Sequence, residues 1–235
     1  MDIEEKWKYT PKKGEQYLFM HIPKTGGTTF RKMLTTHFPE GSYYPSKEDL
    51  LANRGKYYTQ KELITEQTHF LKKPLIVGHF NIELVKHLLP NVKVISFFRN
   101  PMDRILSHVK HIIRHDPEFI GANPNEVIHR KIKNICLTQS LRMGFIPKKK
   151  NFEDVKYNID QLDFVGITEF FDESIELINR QFNWLLEPCN IENRNEEPIY
   201  PMLSLETKAL ISSYMGKELH TYNCALKIFN LRSKI

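Results

Sequence analysis

The chain has 235 residues, 40% of them hydrophobic, 26% charged and 11% aromatic. That composition excludes a disordered chain and supplies enough apolar material for a buried core. Lysine and arginine outnumber aspartate and glutamate 34 to 28, a formal charge of +6, which fits either an anionic ligand or a generic basic surface.

The first element in chain order is a strand over Gln16–Ile22, "QYLFMHI", an apolar run of the length of a buried strand. Pro23 ends it, and Thr28–His37 has helical spacing with Phe30, Met33 and Leu34 on one side. The Tyr-rich stretch "PEGSYYPSKEDLLANRGKYYTQ" is expected to be mostly loop or short helix. Pro74–Phe80, "PLIVGHF", reads as a second strand, and Asn81–Leu89 as a helix with an Asn cap. Asn91–Phe98, "NVKVISFF", is the strongest strand, rich in β-branched and aromatic residues. A helix follows from about Met102 to His115, with Pro101 where first turns tolerate proline. Further helices are expected over Asn125–Met143 and Phe152–Ile159, a strand over Asp163–Phe170 and a capped helix over Asp172–Leu186. After a Pro- and Asn-rich linker, a helical region starts at Ser204.

This alternation of strands and helices predicts an α/β fold with a mostly parallel central sheet and helices on both faces. One domain over residues 1–235 is expected, with residues 1–15 as a flexible N-terminal segment. The ligand of such a sheet lies beyond the carboxyl ends of its strands. Two loops there carry chemistry.

The first is "HIPKTGGTT", at the exit of the first strand and the entrance of a helix. Helix N-terminal amides converge on one point, where the dipole favours negative charge. Gly26 and Gly27 allow close backbone approach, Thr25, Thr28 and Thr29 add hydroxyls, and Lys24 adds a full charge. The stretch reads as a phosphate or sulfate cradle; the alternative is a tight turn with a helix cap and an exposed lysine. It is not the Walker loop GxxxxGKS/T, in which the lysine follows the glycines.

"HIPKTGGTT" resembles the 5′-phosphosulfate loop of carbohydrate sulfotransferases, most closely the heparan sulfate 6-O- and 2-O-sulfotransferase group. That family has a P-loop-like three-layer fold and uses 3′-phosphoadenosine 5′-phosphosulfate (PAPS) as donor, releasing 3′-phosphoadenosine 5′-phosphate (PAP). Its second donor motif, RDPxxRxxS, is similar to "RNPMDRILS", with Arg99 and Ser107 on the 3′-phosphate positions, Arg104 on the internal arginine and Asn100 in place of Asp. "GHF" (Gly78–Phe80) stands where the family places a histidine general base. "NICLTQSLRMGF" resembles the helix with NxxQxR, aligning Gln139 and Arg142. "FVGITEFFDESIELI" resembles VGxTExFDES, and "KELHTYNCA" resembles DxxLYxxA, with Glu218 for Asp and Thr221 for Leu. The resemblance runs from about Tyr17 to Ala225. The animal Golgi enzymes carry a membrane anchor and glycan-gripping loops, and neither is expected in this chain.

The resemblance implies sulfuryl transfer from PAPS to an acceptor hydroxyl, on a carbohydrate or a small metabolite, by in-line displacement. His79 becomes the base, with Glu83 as the runner-up or its orienting partner. Lys24 is set against the bridging oxygen, with Thr25, Gly26, Gly27, Thr28 and Thr29 as donors to the 5′-phosphosulfate and Arg99 and Ser107 on the 3′-phosphate. No metal is required, because lysine and helix amides meet the developing charge. A P-loop kinase is the second reading, disfavoured because the strand end "SFFRN" offers no carboxylate for Mg²⁺. A basic polyanion-binding protein is the third, and no nucleic-acid-binding signature accompanies it.

Several other features keep more than one reading. His108, His111 and His115 share a helix face, lining a cleft or solvated, since three ligands on successive turns of one helix rarely converge on one ion. Lys148–Lys150 fit an anionic glycan or a solvated loop. Tyr43, Tyr44, Tyr57 and Tyr58 fit sugar stacking, a lid or local packing. Cys136, Cys189 and Cys224 are too few and too scattered for a disulfide framework or a CxxC metal knuckle. No apolar run approaches the roughly 20 residues of a membrane helix, and the charged start lacks a signal-peptide core. A cytoplasmic location is therefore expected.

Overall fold

The computed structural model describes residues 14–52, 72–146, 151–187 and 199–234, together with residues 9, 12 and 65. Five strands form one sheet among these residues: β1 (Tyr17–Met20), β2 (Tyr43–Tyr44), β3 (Leu75–Gly78), β4 (Lys93–Phe98) and β5 (Phe164–Ile167). Their order is β2-β3-β1-β4-β5, and every neighbouring pair is parallel. Tyr17 stands opposite Leu75 on one side and Lys93 on the other. Each strand but β4 is buried at every position, as continuous apolar runs in a covered parallel sheet should be. The α/β fold expected from the sequence is the fold observed.

The flanking helices are α1 (Gly27–His37), α2 (Lys47–Ala52), α3 (Ile82–Leu88), α4 (Pro101–His115), α5 (Pro124–Cys136), α6 (Thr138–Arg142), α7 (Phe152–Asp160), α8 (Phe171–Phe182) and α9 (Leu205–Arg232). The long α9 packs against β5 and against α4, α5, α6 and α7. The main core holds the sheet; a second cluster, including Ile105, Val109, Ile128, Ile135 and Ile211, sits between α4, α5 and α9. Tyr9, within the stretch expected to be flexible, packs on the main core, and its hydroxyl meets Glu15 at 2.5 Å.

The elements depart from the sequence reading in four places. The helix expected over Asn125–Met143 is two helices, broken at Leu137 (φ −106°, ψ 20°). Beyond the break, Glu218 accepts from Gln139 N at 3.3 Å and Ser140 N at 2.8 Å, while Ile135 O accepts from Arg104 Nη2. Distant side chains thus take the backbone groups a continuous helix would pair. The strand expected to reach Phe170 stops at Ile167 and turns into a 3-10 segment over Thr168–Phe170. The helix expected to reach Leu186 ends at Phe182 because Asn183 is left-handed (φ 54°), a conformation Asn tolerates. The Tyr-rich connection supplies β2 at the sheet edge, where Tyr43 and Tyr44 are buried in local packing. Tyr57, Tyr58, Lys148, Lys149, Lys150 and Cys189 lie outside the described residues.

Candidate functional site

The chain leaves β1, the middle strand, and reaches α1 through a turn with two left-handed residues, Lys24 (φ 70°) and Gly26 (φ 79°). Only glycine adopts that region without strain, so Lys24 is held there by its surroundings. Thr25 is buried and its hydroxyl donates to Ile22 O at 2.9 Å, shaping the turn from within. Its side chain is therefore committed to the loop, unlike the ligand-facing hydroxyl expected from the sequence. Thr28 is exposed and Thr29 half-buried on the first turn of α1. That turn carries no acidic residue, so nothing opposes the positive end of the dipole. Gly27 lies within α1, and a Cβ on it would stand 2.0 Å from His21 Cδ2.

The second loop leaves β4, next to β1 in the sheet. Arg99 Nη1 donates to Lys24 O at 3.3 Å, which ties the two loops together. Thr168, just past β5, joins the same knot: its hydroxyl lies 2.9 Å from Thr25 O and 3.0 Å from Phe98 O. Gln139 clamps the Arg99 residue from both ends, accepting from Arg99 N at 2.9 Å and donating to Arg99 O at 3.0 Å. Asn100 caps α4 by accepting from Met102 N at 3.0 Å, a task its side-chain oxygen performs as well as Asp would. Ser107 is half-buried on α4.

Arg104 is wholly buried, 3.8 Å from the equally buried Glu218, so this internal arginine supports the fold. His108 follows Ser107. Burial, then Arg104, His111 and Lys24, push its pKa down to about 4. His111 is lowered as well, by burial and then Lys24 among its neighbours. Lys24 therefore acts electrostatically on the face of α4 that bears these two histidines. The His115 ring lies beside that of His111, with centroids 4.7 Å apart and the planes tilted by 48°. No group of three or more His, Cys, Asp or Glu among the described residues could hold a metal ion.

His79 sits one residue past β3, on the other side of β1. Its Nδ1 is 2.7 Å from His21 O. A carbonyl only accepts, so Nδ1 carries the proton and the neutral ring keeps its lone pair on Nε2. Burial lowers the His79 pKa; the bond to His21 works against that, and Arg142 and Arg31 add to the fall. A neutral ring able to take a proton is the result. Arg142 Nη1 donates to His79 O at 2.7 Å and to Asn81 Oδ1 at 3.0 Å, fixing the backbone that carries the imidazole. The Glu83 carboxylate lies over Gly144, its Oε1 2.8 Å from where a Cβ on that residue would stand.

The fold thus gathers Lys24, Gly26, Gly27, Arg99 and His79 at the carboxyl ends of the three central strands. His21, Thr168 and Gln139 are supports to which the sequence reading gave no role, although each lies inside a quoted motif; His21 stands two residues before the proline of the first. One hollow of about 730 Å³ opens elsewhere, beside Leu162, Asp163 and Arg232 near the start of β5. No helix among the described residues is long and apolar enough to cross a membrane.

A family model described as the sulfotransferase domain matches residues 15–179, more than two thirds of the chain. No curated protein matches the chain.

Proposed function

Because this chain belongs to the sulfotransferase family, we propose that it carries the sulfuryl group of PAPS to a hydroxyl of a carbohydrate acceptor, with His79 as general base. The family membership makes it a transferase; PAPS as donor, a carbohydrate as acceptor and His79 as base go beyond that membership. Residues 1–235 are taken as one sulfotransferase domain.

The observation that carries the reading is the bond from Arg99 Nη1 to Lys24 O. It joins two cationic loops, as a nucleotide with phosphates on both its 5′ and 3′ sides requires. A donor set of one lysine, one arginine and the amides of a helix start without acidic residues suits such an anion. In this reading Lys24 and the amides of Thr25, Gly26, Gly27, Thr28 and Thr29 hold the 5′-phosphosulfate. Arg99 and Ser107 hold the 3′-phosphate.

Transfer forms a bond from the acceptor oxygen to sulfur and breaks the bond from sulfur to the bridging phosphate oxygen. The electron pair of that bond leaves with PAP. The acceptor proton passes to Nε2 of His79, whose Nδ1 is already occupied by its own proton. Lys24 meets the negative charge growing on the bridging oxygen.

Calorimetry with PAP against ATP, ADP and AMP, with and without Mg²⁺, tests the donor. Tight, metal-independent binding of PAP is expected, and preference for ATP with Mg²⁺ would overturn the reading. With an acceptor found by screening sugars and glycans with labelled PAPS, His79→Ala should lose about 10²–10⁴-fold in turnover. PAP affinity should stay near that of the intact protein.

A further inference from the structure

His21 lies between the two halves of the site and belongs to neither motif role. Its N–H donates to Gly78 O at 2.8 Å, one residue before His79, and its C=O takes the Nδ1 proton of His79 at 2.7 Å. The two imidazoles lie 4.6 Å apart with a tilt of 31°, and the His21 ring also stacks on Phe19 at 5.5 Å. On its far side is α1: a Cβ at Gly27 would stand 2.0 Å from His21 Cδ2, 2.1 Å from Nε2 and 2.9 Å from Cε1. Gly27 has helical backbone, so no turn demands a glycine there. The ring of His21 demands it.

We propose that His21 is a positioning residue for sulfuryl transfer. Its carbonyl sets which nitrogen of His79 carries the proton, and its ring, seated in the space Gly27 leaves, holds the base at a fixed distance from the donor loop. The inference rests on His79 being the base. Backbone amide and carbonyl act together: one residue is bonded to both Gly78 and His79, so the end of β3 cannot shift along β1 without breaking both bonds. A neutral ring also suits the position, because Lys24, Arg31 and Arg142 act on it and a fourth positive charge would repel them. Burial first, then His79 and those cations, hold its pKa down to about 3.

A double-mutant cycle over His21 and Gly27 tests the coupling. His21→Ala keeps the carbonyl and removes the ring. It should lower kcat about tenfold, as a loosened reactant geometry does, with PAP affinity little changed. Gly27→Ala alone should lower kcat at least as much, because its methyl must displace the ring. In the His21→Ala background the same Gly27→Ala change should cost about twofold or less, since the methyl enters vacated space. Equal losses from Gly27→Ala in both backgrounds would overturn the proposal, as would normal kcat in His21→Ala.

If Gly27→Ala alone fails to fold, the same coupling is read as recovery of folding in the double variant, and no recovery overturns the proposal. The tautomer has its own readout in nitrogen NMR of labelled histidine, with the His79 signal assigned by its loss in His79→Ala. The Nδ1–H form is expected, and an Nε2–H form refutes the role of the carbonyl. An active His79→Ala would instead defeat the base assignment, which keeps the two failures apart.

Discussion

Glu218→Gln tests how the buried charge behind the donor loop is satisfied. Glu218 accepts from Ser140 N (2.8 Å), Ser140 Oγ (2.7 Å), Gln139 N (3.3 Å) and Gln139 Nε2 (3.4 Å), and lies 3.8 Å from Arg104 Nε. Neither charged side chain is exposed, and among the described residues Arg104 Nε and Nη1 have no hydrogen-bond acceptor. Glutamine keeps the shape and removes the charge that balances Arg104. It also turns one acceptor into a donor. Facing Gln139, the new NH₂ meets another donor; facing Ser140, it displaces the two shortest bonds. Removing one partner of a buried pair costs about 3–5 kcal/mol, and the retained amide oxygen places this change near the lower end. At this chain length that corresponds to a fall in Tm of roughly 6–12 °C. Urea unfolding and thermal melts measure it. Because Gln139 holds Arg99 at both its backbone groups, PAP affinity should fall too, by about 1 kcal/mol or roughly fivefold. Adding Arg104→Met should restore much of the stability by removing the stranded charge. A single variant within about 0.5 kcal/mol of the parent, or a double variant no more stable than the single, would refute this account.

The parts of the site that were legible in the sequence are those built from neighbouring residues. Lys24, the glycine pair and the helix behind them form one stretch, and Arg99 follows a strand whose β-branched and aromatic content announces it. The missing parts depend on partners far along the chain. The break at Leu137 follows from Glu218, 79 residues beyond Gln139, and periodicity cannot register a carboxylate that arrives from another helix. The hydroxyl of Thr25 looked outward in the motif but turns back to Ile22 O, a choice made by the turn geometry. Gly27 read as an approach point for an anion; in the fold its lack of a side chain also makes room for His21, which only the juxtaposition of β1 and α1 reveals. Two-residue β2 is too short to leave a pattern and exists because the edge of β3 accepts it. Concavity alone does not single out the site either, since a hollow of about 730 Å³ lies near Asp163.

Arg99→Ala should weaken PAP binding by about 1.5–3 kcal/mol and leave adenosine 5′-phosphosulfate binding almost unchanged; equal losses in calorimetry would show that Arg99 does not read the 3′-phosphate. Lys24→Gly should be about 1 kcal/mol more stable than Lys24→Ala in urea unfolding, because φ is 70° there, while both lose more in turnover than in PAP affinity; equal stabilities would mean the turn relaxes. The pH dependence of stability follows from His21 and His108, held at about 3 and about 4 against an ordinary 6.5. Their folded pKa values are depressed, so below about pH 6.5 the unfolded chain binds protons that the folded chain refuses. Stability is therefore fully present above that pH and falls as the solution is acidified, by about 1.4 kcal/mol per pH unit for each group once well below 6.5. Glu15, where bonds from the Tyr17 and Tyr9 hydroxyls outweigh burial and hold the carboxyl at about 2, adds its own loss only below its ordinary 4.5. Urea unfolding between about pH 6.5 and 4.5 thus reports mainly histidines. Comparing the protein with His21→Ala over that range should remove one group's slope. A flat profile in the parent, or an unchanged slope in the variant, would mean that His21 takes up a proton without leaving its place beside Gly27.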